Sequence, residues 1–287
     1  MIVQEFFDEK TYTLTYVLHE QGHNKAIVMD PVLDFEAPSG QIDLTSVNKV
    51  LSYMESHGLE PEVCIETHAH ADHLSGAQII KDHFPSTKIA VSHRIVEVQK
   101  IFSKLFNIDA PADGSQFDYL FQDNETLSLA GLDVKVIPTP GHTPACTSFL
   151  IEGDLFVGDA IFMPDYGVGR CDFPGGSASQ LHRSITENIF SLPESTKVYV
   201  GHDYQPGGRE LRFVSTVREQ KQSNKQLNAS MDAAEFIQRR EERDKTLDAP
   251  KLLYPSIQVN ILGGKLPEPE DNGMTYLKIP IKSHQAS

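Results

Sequence analysis

The segment Thr67-His68-Ala69-His70-Ala71-Asp72-His73 packs three histidines and an aspartate into six consecutive residues. In extended backbone, side chains two apart face the same way, so His68 and His70 can address one ion. Imidazole with carboxylate and no cysteine suits zinc or iron in an open, catalytic site better than in a closed structural one. Three more ligand-capable residues stand beside glycines, in Gly141-His142-Thr143, Gly158-Asp159-Ala160 and Gly201-His202-Asp203. Glycine permits a tight turn and close backbone approach. Each of these alone is an ordinary turn, but following the histidine cluster in order they complete a series of seven candidate ligands.

Strands have to deliver that series. The apolar run 63–66 predicts a buried strand stopping at the cluster, with Cys64 in the core. Upstream, 11–19 and 25–32 read as a hairpin around Gln21-Gly22-His23-Asn24, and Asp43 can cap a helix through Leu44, Val47, Val50, Leu51 and Met54. Downstream, the spacing predicts a helix over 74–84, a strand over 88–91 and a helix over 95–106. Strand pattern over 126–138, turning at Gly131, halts at Pro138-Thr139-Pro140-Gly141-His142. A hairpin over 147–157, a glycine-rich loop over 165–176, a helix over 180–190 and a strand over 197–200 follow. This alternation predicts a layered α/β domain over 1–208. Residues 209–287 form an appendage packed on it: two helices over 209–247, then an extended segment over 252–281 broken by Gly263-Gly264 and Pro267-Glu268-Pro269. Its helices can serve a homodimer interface or close over their own domain.

Composition removes several classes. The 287 residues carry a formal charge of −15, with 29 acidic and 12 basic side chains in 1–208 and 11 and 13 in the rest. No basic block offers itself to nucleic acid. No apolar run approaches the ~20 residues of a membrane span, and the opening MIVQEFFDEK lacks a signal-peptide layout, so no membrane association and a cytoplasmic location are expected. Three cysteines without CxxC spacing exclude a disulfide framework. His19, His23, His57, His83, His93, His182 and His284 fit no ligand pattern and read as ordinary surface or helix residues.

The ordered series resembles the metallo-β-lactamase superfamily, whose signature is H-x-H-x-D-H followed by single His, Asp and His ligands at strand ends. The resemblance spans roughly 10–205 and implies an αβ/βα four-layer sandwich with the metal site at one edge, and Asp159 placed to bridge two ions. The loop Gly167-Val168-Gly169-Arg170-Cys171-Asp172-Phe173 and His202-Asp203-Tyr204 are similar to segments of the persulfide dioxygenases, the ethylmalonic encephalopathy protein family. Pro255-Ser256-Ile257-Gln258-Val259-Asn260 and the segment from Asn272-Gly273-Met274 to Ile279-Pro280 are similar to its bacterial β-lactamase-like hydrolase (Blh) branch.

The resemblance implies one Fe(II) per chain on His68, His142 and Asp159, a facial triad that leaves positions open for a substrate sulfur and O2. The reaction expected is oxidation of glutathione persulfide, or a related low-molecular-weight persulfide, to sulfite and glutathione. Arg170 is the candidate for a glutathione carboxylate, with Asp172 as its competing partner. Tyr204 is assigned a hydrogen bond to substrate near its sulfur, against a packed aromatic role. Cys171 is a candidate substrate contact, against an idle thiol. His70, Asp72, His73 and His202 remain for a second site or for supporting positions. They sustain the alternative, a thioester hydrolase resembling glyoxalase II with two Zn(II) per chain.

Overall fold

The structure, a computed structural model, describes residues 1–281; His284, assigned above to no ligand pattern, lies outside them. The first half runs β1 (Ile2–Asp8), β2 (Thr13–His19), β3 (Lys25–Met29), β4 (Val32–Glu36), β5 (Gln41–Asp43), α1 (Thr45–Ser56), β6 (Glu60–Ile65), β7 (Leu74–Ser75), α2 (Ala77–His83), β8 (Lys88–Ser92), α3 (Ile95–Phe106) and β9 (Tyr119–Phe121). The second runs β10 (Thr126–Leu129), β11 (Leu132–Pro138), β12 (Thr147–Ile151), β13 (Asp154–Phe156), α4 (Ala178–Arg183), β14 (Lys197–Tyr199), β15 (Val214–Thr216), α5 (Val217–Ser223), α6 (Ala233–Asp244) and α7 (Leu253–Asn260).

Strands β1-β2-β3-β6-β8-β9 make one sheet, β10 to β15 in chain order a second, and β5-β4-β7 a small third. From β3 to β9 the strands are parallel, so each connection is a crossover, and α1, α2 and α3 fill them. Period-two alternation sorts the side chains. Val63 and Ile65 of β6 join the core between the sheets with Leu14, Tyr16, Val134, Phe149 and Leu155, while Cys64 faces the helices beside Val17, Val47 and Ile80. Helix, sheet, sheet and helix thus stack as the four-layer α/β sandwich, and α5 to α7 add to it.

Several boundaries differ from expectation for local reasons. The expected strand 25–32 ends at Met29, because Asp30 turns into the left-handed region at φ 47° before β4 begins. The expected helix 74–84 begins at Ala77, since Leu74 and Ser75 pair with β4. The expected helix 180–190 begins at Ala178, capped by Ser177, and widens into a π-helical turn over Ser184–Ile189. There Ser184 Oγ donates to Pro140 O at 2.7 Å and Asn188 Nδ2 to Pro138 O at 2.8 Å. His19 is a buried strand residue, sharing a hydrogen bond with Tyr53 at 3.1 Å. Among the described residues, no helix is long and apolar enough to cross a membrane.

The C-terminal segment is woven into the sandwich. β15 pairs with β14, α6 packs on α4, and α7 packs against β7 and α3. The extended reading of 252–281 therefore fails over Leu253–Asn260, where burial of Ile257 and Val259 favours a helix and Pro255 falls in its first turn, needing no amide donor. Its last residue, buried Asn260, donates to His70 O at 2.9 Å and His73 O at 2.8 Å and accepts from Ser75 N at 2.8 Å. Asn260→Ala leaves three buried backbone groups unpaired and is expected to cost roughly 3 kcal/mol in urea unfolding. A wild-type midpoint would show that this clamp contributes no stability.

Candidate metal centre

Four strands end at one edge of the sandwich. β11, β13 and β14 share one direction, because β12 is antiparallel to both its neighbours and β13 pairs parallel with β14. His142, Asp159 and His202 follow their ends, and His68, His70, Asp72 and His73 follow β6 from the facing sheet. The turns are tight. Gly158 has φ +50°, and a Cβ there would stand 2.5 Å from Thr67 Oγ1, so the Asp159 turn can press against the histidine loop. Gly141 likewise lies against the Leu181 backbone with φ +146°.

Hydrogen bonds settle which imidazole nitrogen carries a lone pair. His142 Nδ1 donates to the Arg170 carbonyl at 2.6 Å, which places the lone pair of the neutral ring on Nε2. His68 Nδ1 lies 2.9 Å from Thr67 Oγ1, whose proton goes to Asp30 Oδ2 at 2.9 Å, so its Nε2 is also bare. His70 is turned the other way: Nε2 sits 2.9 Å from Asp30 Oδ1 and 3.1 Å from Glu66 Oε2, freeing Nδ1. His68 Nε2, His70 Nδ1, His73 Nε2 and Asp159 Oδ1 are buried with no hydrogen-bond partner among the described residues. Orphaned acceptors at this density are costly unless a cation takes them. The donor set, nitrogen and carboxylate oxygen without thiolate, fits zinc or iron.

Distances divide the donors. His68 Nε2 and His142 Nε2 stand 3.9 and 3.7 Å from Asp159 Oδ2. These are too long for hydrogen bonds and near the ~3.4 Å between two donors that hold one tetrahedral cation at ~2.1 Å. His202 Nε2 lies 3.3 Å from the other oxygen, Asp159 Oδ1, and 3.4 Å from Asp72 Oδ2, which is itself 3.3 Å from His73 Nδ1. The His70 ring stands between the groups, its centroid 4.1 Å from that of His68 and 4.3 Å from that of His73. Among the described residues, three clusters can hold a cation: His68, His142 and Asp159; His70, Asp72 and His73; and Asp30, Glu66 and His70.

Burial, then the neighbouring His70 and His142, push the His68 pKa well down, keeping it neutral as a ligand must be. For His70, burial works the other way from Asp30 and Glu66, and the carboxylates prevail, raising its pKa. That makes its free nitrogen a stronger donor. Asp72 is held well below the usual carboxylate range despite burial, by His202 and His73.

The protein-family model described as the metallo-beta-lactamase superfamily matches residues 9–202. The chain belongs to the metallo-β-lactamase superfamily. "Glyoxylase B2" of Dictyostelium discoideum is 46% identical over 282 residues, covering 97% of this chain and 96% of that protein. A "Beta-lactamase hydrolase-like protein" of Xylella fastidiosa is 44% identical over 98% of this chain but only 65% of its own length. The crystal structure of ETHE1 from Myxococcus xanthus superposes with a TM-score of 0.74 at 28% identity, covering 92% of this chain and all of that one.

Over the superfamily's metal edge opens a cavity of about 770 Å³, with Asp72, His73, His142 and Asp159 in its floor. Its walls include Arg170 and Tyr204, and the C-terminal segment supplies Arg240, Arg243 and Lys251. Arg170 forks onto Asp172, with both bonds at 2.6 Å, and also donates to Asp248 O at 2.8 Å. Tyr204 stacks on His202 and Tyr166. Burial, then Asp159 and Asp72, push its hydroxyl pKa well up, so it remains a donor. The structure does not bring Cys171 to the cavity: the thiol is buried against Gly169 O, and burial and Asp244 raise its pKa.

Asp30 and Glu66, the carboxylates that orient His70 and, through Thr67, His68, belong to no motif in the sequence. Their signal was available, since an acidic residue closing a buried strand has no solvent to face. Each of His68→Ala, His142→Ala and Asp159→Ala is expected to lower the metal retained per chain after dialysis. Wild-type metal content in any one of them removes that residue from the centre.

Proposed function

We propose that this chain is a two-ion metallohydrolase cleaving a thioester of a low-molecular-weight thiol, as glyoxalase II does. The supporting observation is Asp159, whose Oδ2 faces His68 and His142 while its Oδ1 faces His202 and, beyond it, Asp72. A carboxylate so divided suits a bridge between two cations. The Dictyostelium relative, named a glyoxylase and similar over nearly its whole length, agrees with this reading.

His68, His142 and Asp159 would hold one ion, and Asp72, His73, His202 and Asp159 the other, with the His70 ring between the two groups. Bound there, divalent ions supply Lewis-acid polarisation of a carbonyl and a water of lowered pKa. The remaining work belongs to the chain. Tyr204, protonated and in the wall, donates to the substrate near its sulfur. Arg170 has one proton on each terminal nitrogen beyond its bonds to Asp172 and Asp248, and these receive a substrate carboxylate. The products are a carboxylic acid and the free thiol.

A second reading is favoured by the Myxococcus structure and the Gly167–Phe173 loop: a persulfide dioxygenase with one Fe(II) on His68, His142 and Asp159, converting glutathione persulfide, O2 and water to sulfite and glutathione. Metal analysis of the purified chain, with parallel assays of acyl-glutathione hydrolysis and of O2 uptake on glutathione persulfide, separates the two. Two divalent ions and hydrolysis are expected; one iron with O2 uptake and no hydrolysis selects the dioxygenase. In either assay Arg170→Ala is expected to raise KM about tenfold, the effect of losing a charge-assisted bond of roughly 1.5 kcal/mol, with a smaller change in kcat. An unchanged KM assigns Arg170 to Asp172 alone.

A further inference from the structure

His142 owes its orientation to one carbonyl, that of Arg170, in the glycine-rich loop between Asp159 and α4. Part of this loop bonds to itself, as in Phe162 N–H to Gly167 O at 2.9 Å, but the Arg170–Cys171 peptide is held by groups outside it. The group between Arg170 and Cys171 is held at both ends. Its carbonyl accepts from His142 Nδ1 at 2.6 Å, and its N–H, across the same rigid plane, donates to Asp244 Oδ2 at 2.9 Å.

Asp244 closes α6 and is 6% exposed. Its other oxygen accepts from Arg240 Nη2 at 2.5 Å, one helical turn back. Arg240, equally buried, is tied in turn to Gln226 Oε1 at 2.7 Å and reaches Val168 O at 3.4 Å. The ion pair thus uses one carboxylate oxygen and leaves the second aimed at the loop. A carboxylate on a peptide N–H polarises that peptide and strengthens its carbonyl as an acceptor. A stronger acceptor at Nδ1 fixes the imidazole and makes Nε2 a better donor, as carboxylate–histidine–metal arrangements do directly.

We infer that Asp244 is a positioning residue for the metal centre, acting through the Arg170–Cys171 peptide to orient His142 and raise its donor strength. The inference rests on His142 as a ligand and holds for either reaction, so it outlasts a wrong choice between hydrolase and dioxygenase.

The test uses the full chain reconstituted with Co(II) and, separately, Zn(II) titrated against a chelator. His142→Ala first marks the absorption band and the binding step that depend on this ligand. In Asp244→Asn that same step is expected to weaken 10- to 100-fold and its Co(II) band to shift, while binding independent of His142 keeps its affinity. Because the single change strands Arg240, the pair Arg240→Gln with Asp244→Asn is made alongside, and it is expected to reproduce the effect. Glu241→Gln, an exposed carboxylate on the same helix, is expected to change neither readout. Wild-type affinity and spectrum in either folded Asp244 variant overturns the relay, as does equal weakening of every binding step. A wild-type chain that binds no ion overturns the metal-centre reading itself.

Discussion

Buried imidazole and carboxylate atoms with no proton facing them are the constraint on which the rest of this structure depends. A lone pair sealed from water costs free energy unless something positive reaches it, and here four such atoms lie at one sheet edge. The histidine rings are aimed by the groups behind them: Asp30 and Glu66 hold His70, Thr67 holds His68, and the Arg170 carbonyl holds His142, a further candidate ligand. The parallel strand directions, the glycines at the turns and the two facing sheets all serve to bring these pre-oriented donors within reach of the same cations.

The chain beyond residue 208 is part of that arrangement. α7 grips the histidine loop through Asn260, α6 grips the opposing loop through Asp244, and residues between the two helices form a wall of the cavity. Its charge also differs from that of the rest. The first 208 residues carry a strong acidic excess, most of it solvated surface, and Asp72 and Asp159 are a small share of it. A small anion approaching this molecule meets repulsion at long range and attraction near the cations of the cavity wall, Arg170, Arg243 and Lys251 among them.

The seven candidate ligands were legible in the sequence because their signal is local: a dense motif at one strand end, and single residues beside glycines at three others. The strand and helix periodicity around them was legible for the same reason, and α3 over Ile95–Phe106 and the β10–β11 turn at Gly131 fall where it placed them. Elements whose support comes from distant neighbours were not. β7 needs β4 beside it, β15 needs β14, and α7 is helical within a segment that reads as extended chain, because it buries Ile257 and Val259 under the sandwich.

By itself, then, the sequence determined the inventory: which atoms can bind a metal, in what order, on what kind of layered domain. Only the tertiary structure decided which nitrogen of each histidine is free, how Asp159 divides its two oxygens, that Arg170 is forked onto Asp172, and that Cys171 is shut away from the cavity. A ligand's identity is a property of one residue, whereas its tautomer and direction belong to the group behind it. Those groups, Asp30, the Arg170 carbonyl and Asn260, come from parts of the chain that only folding brings together.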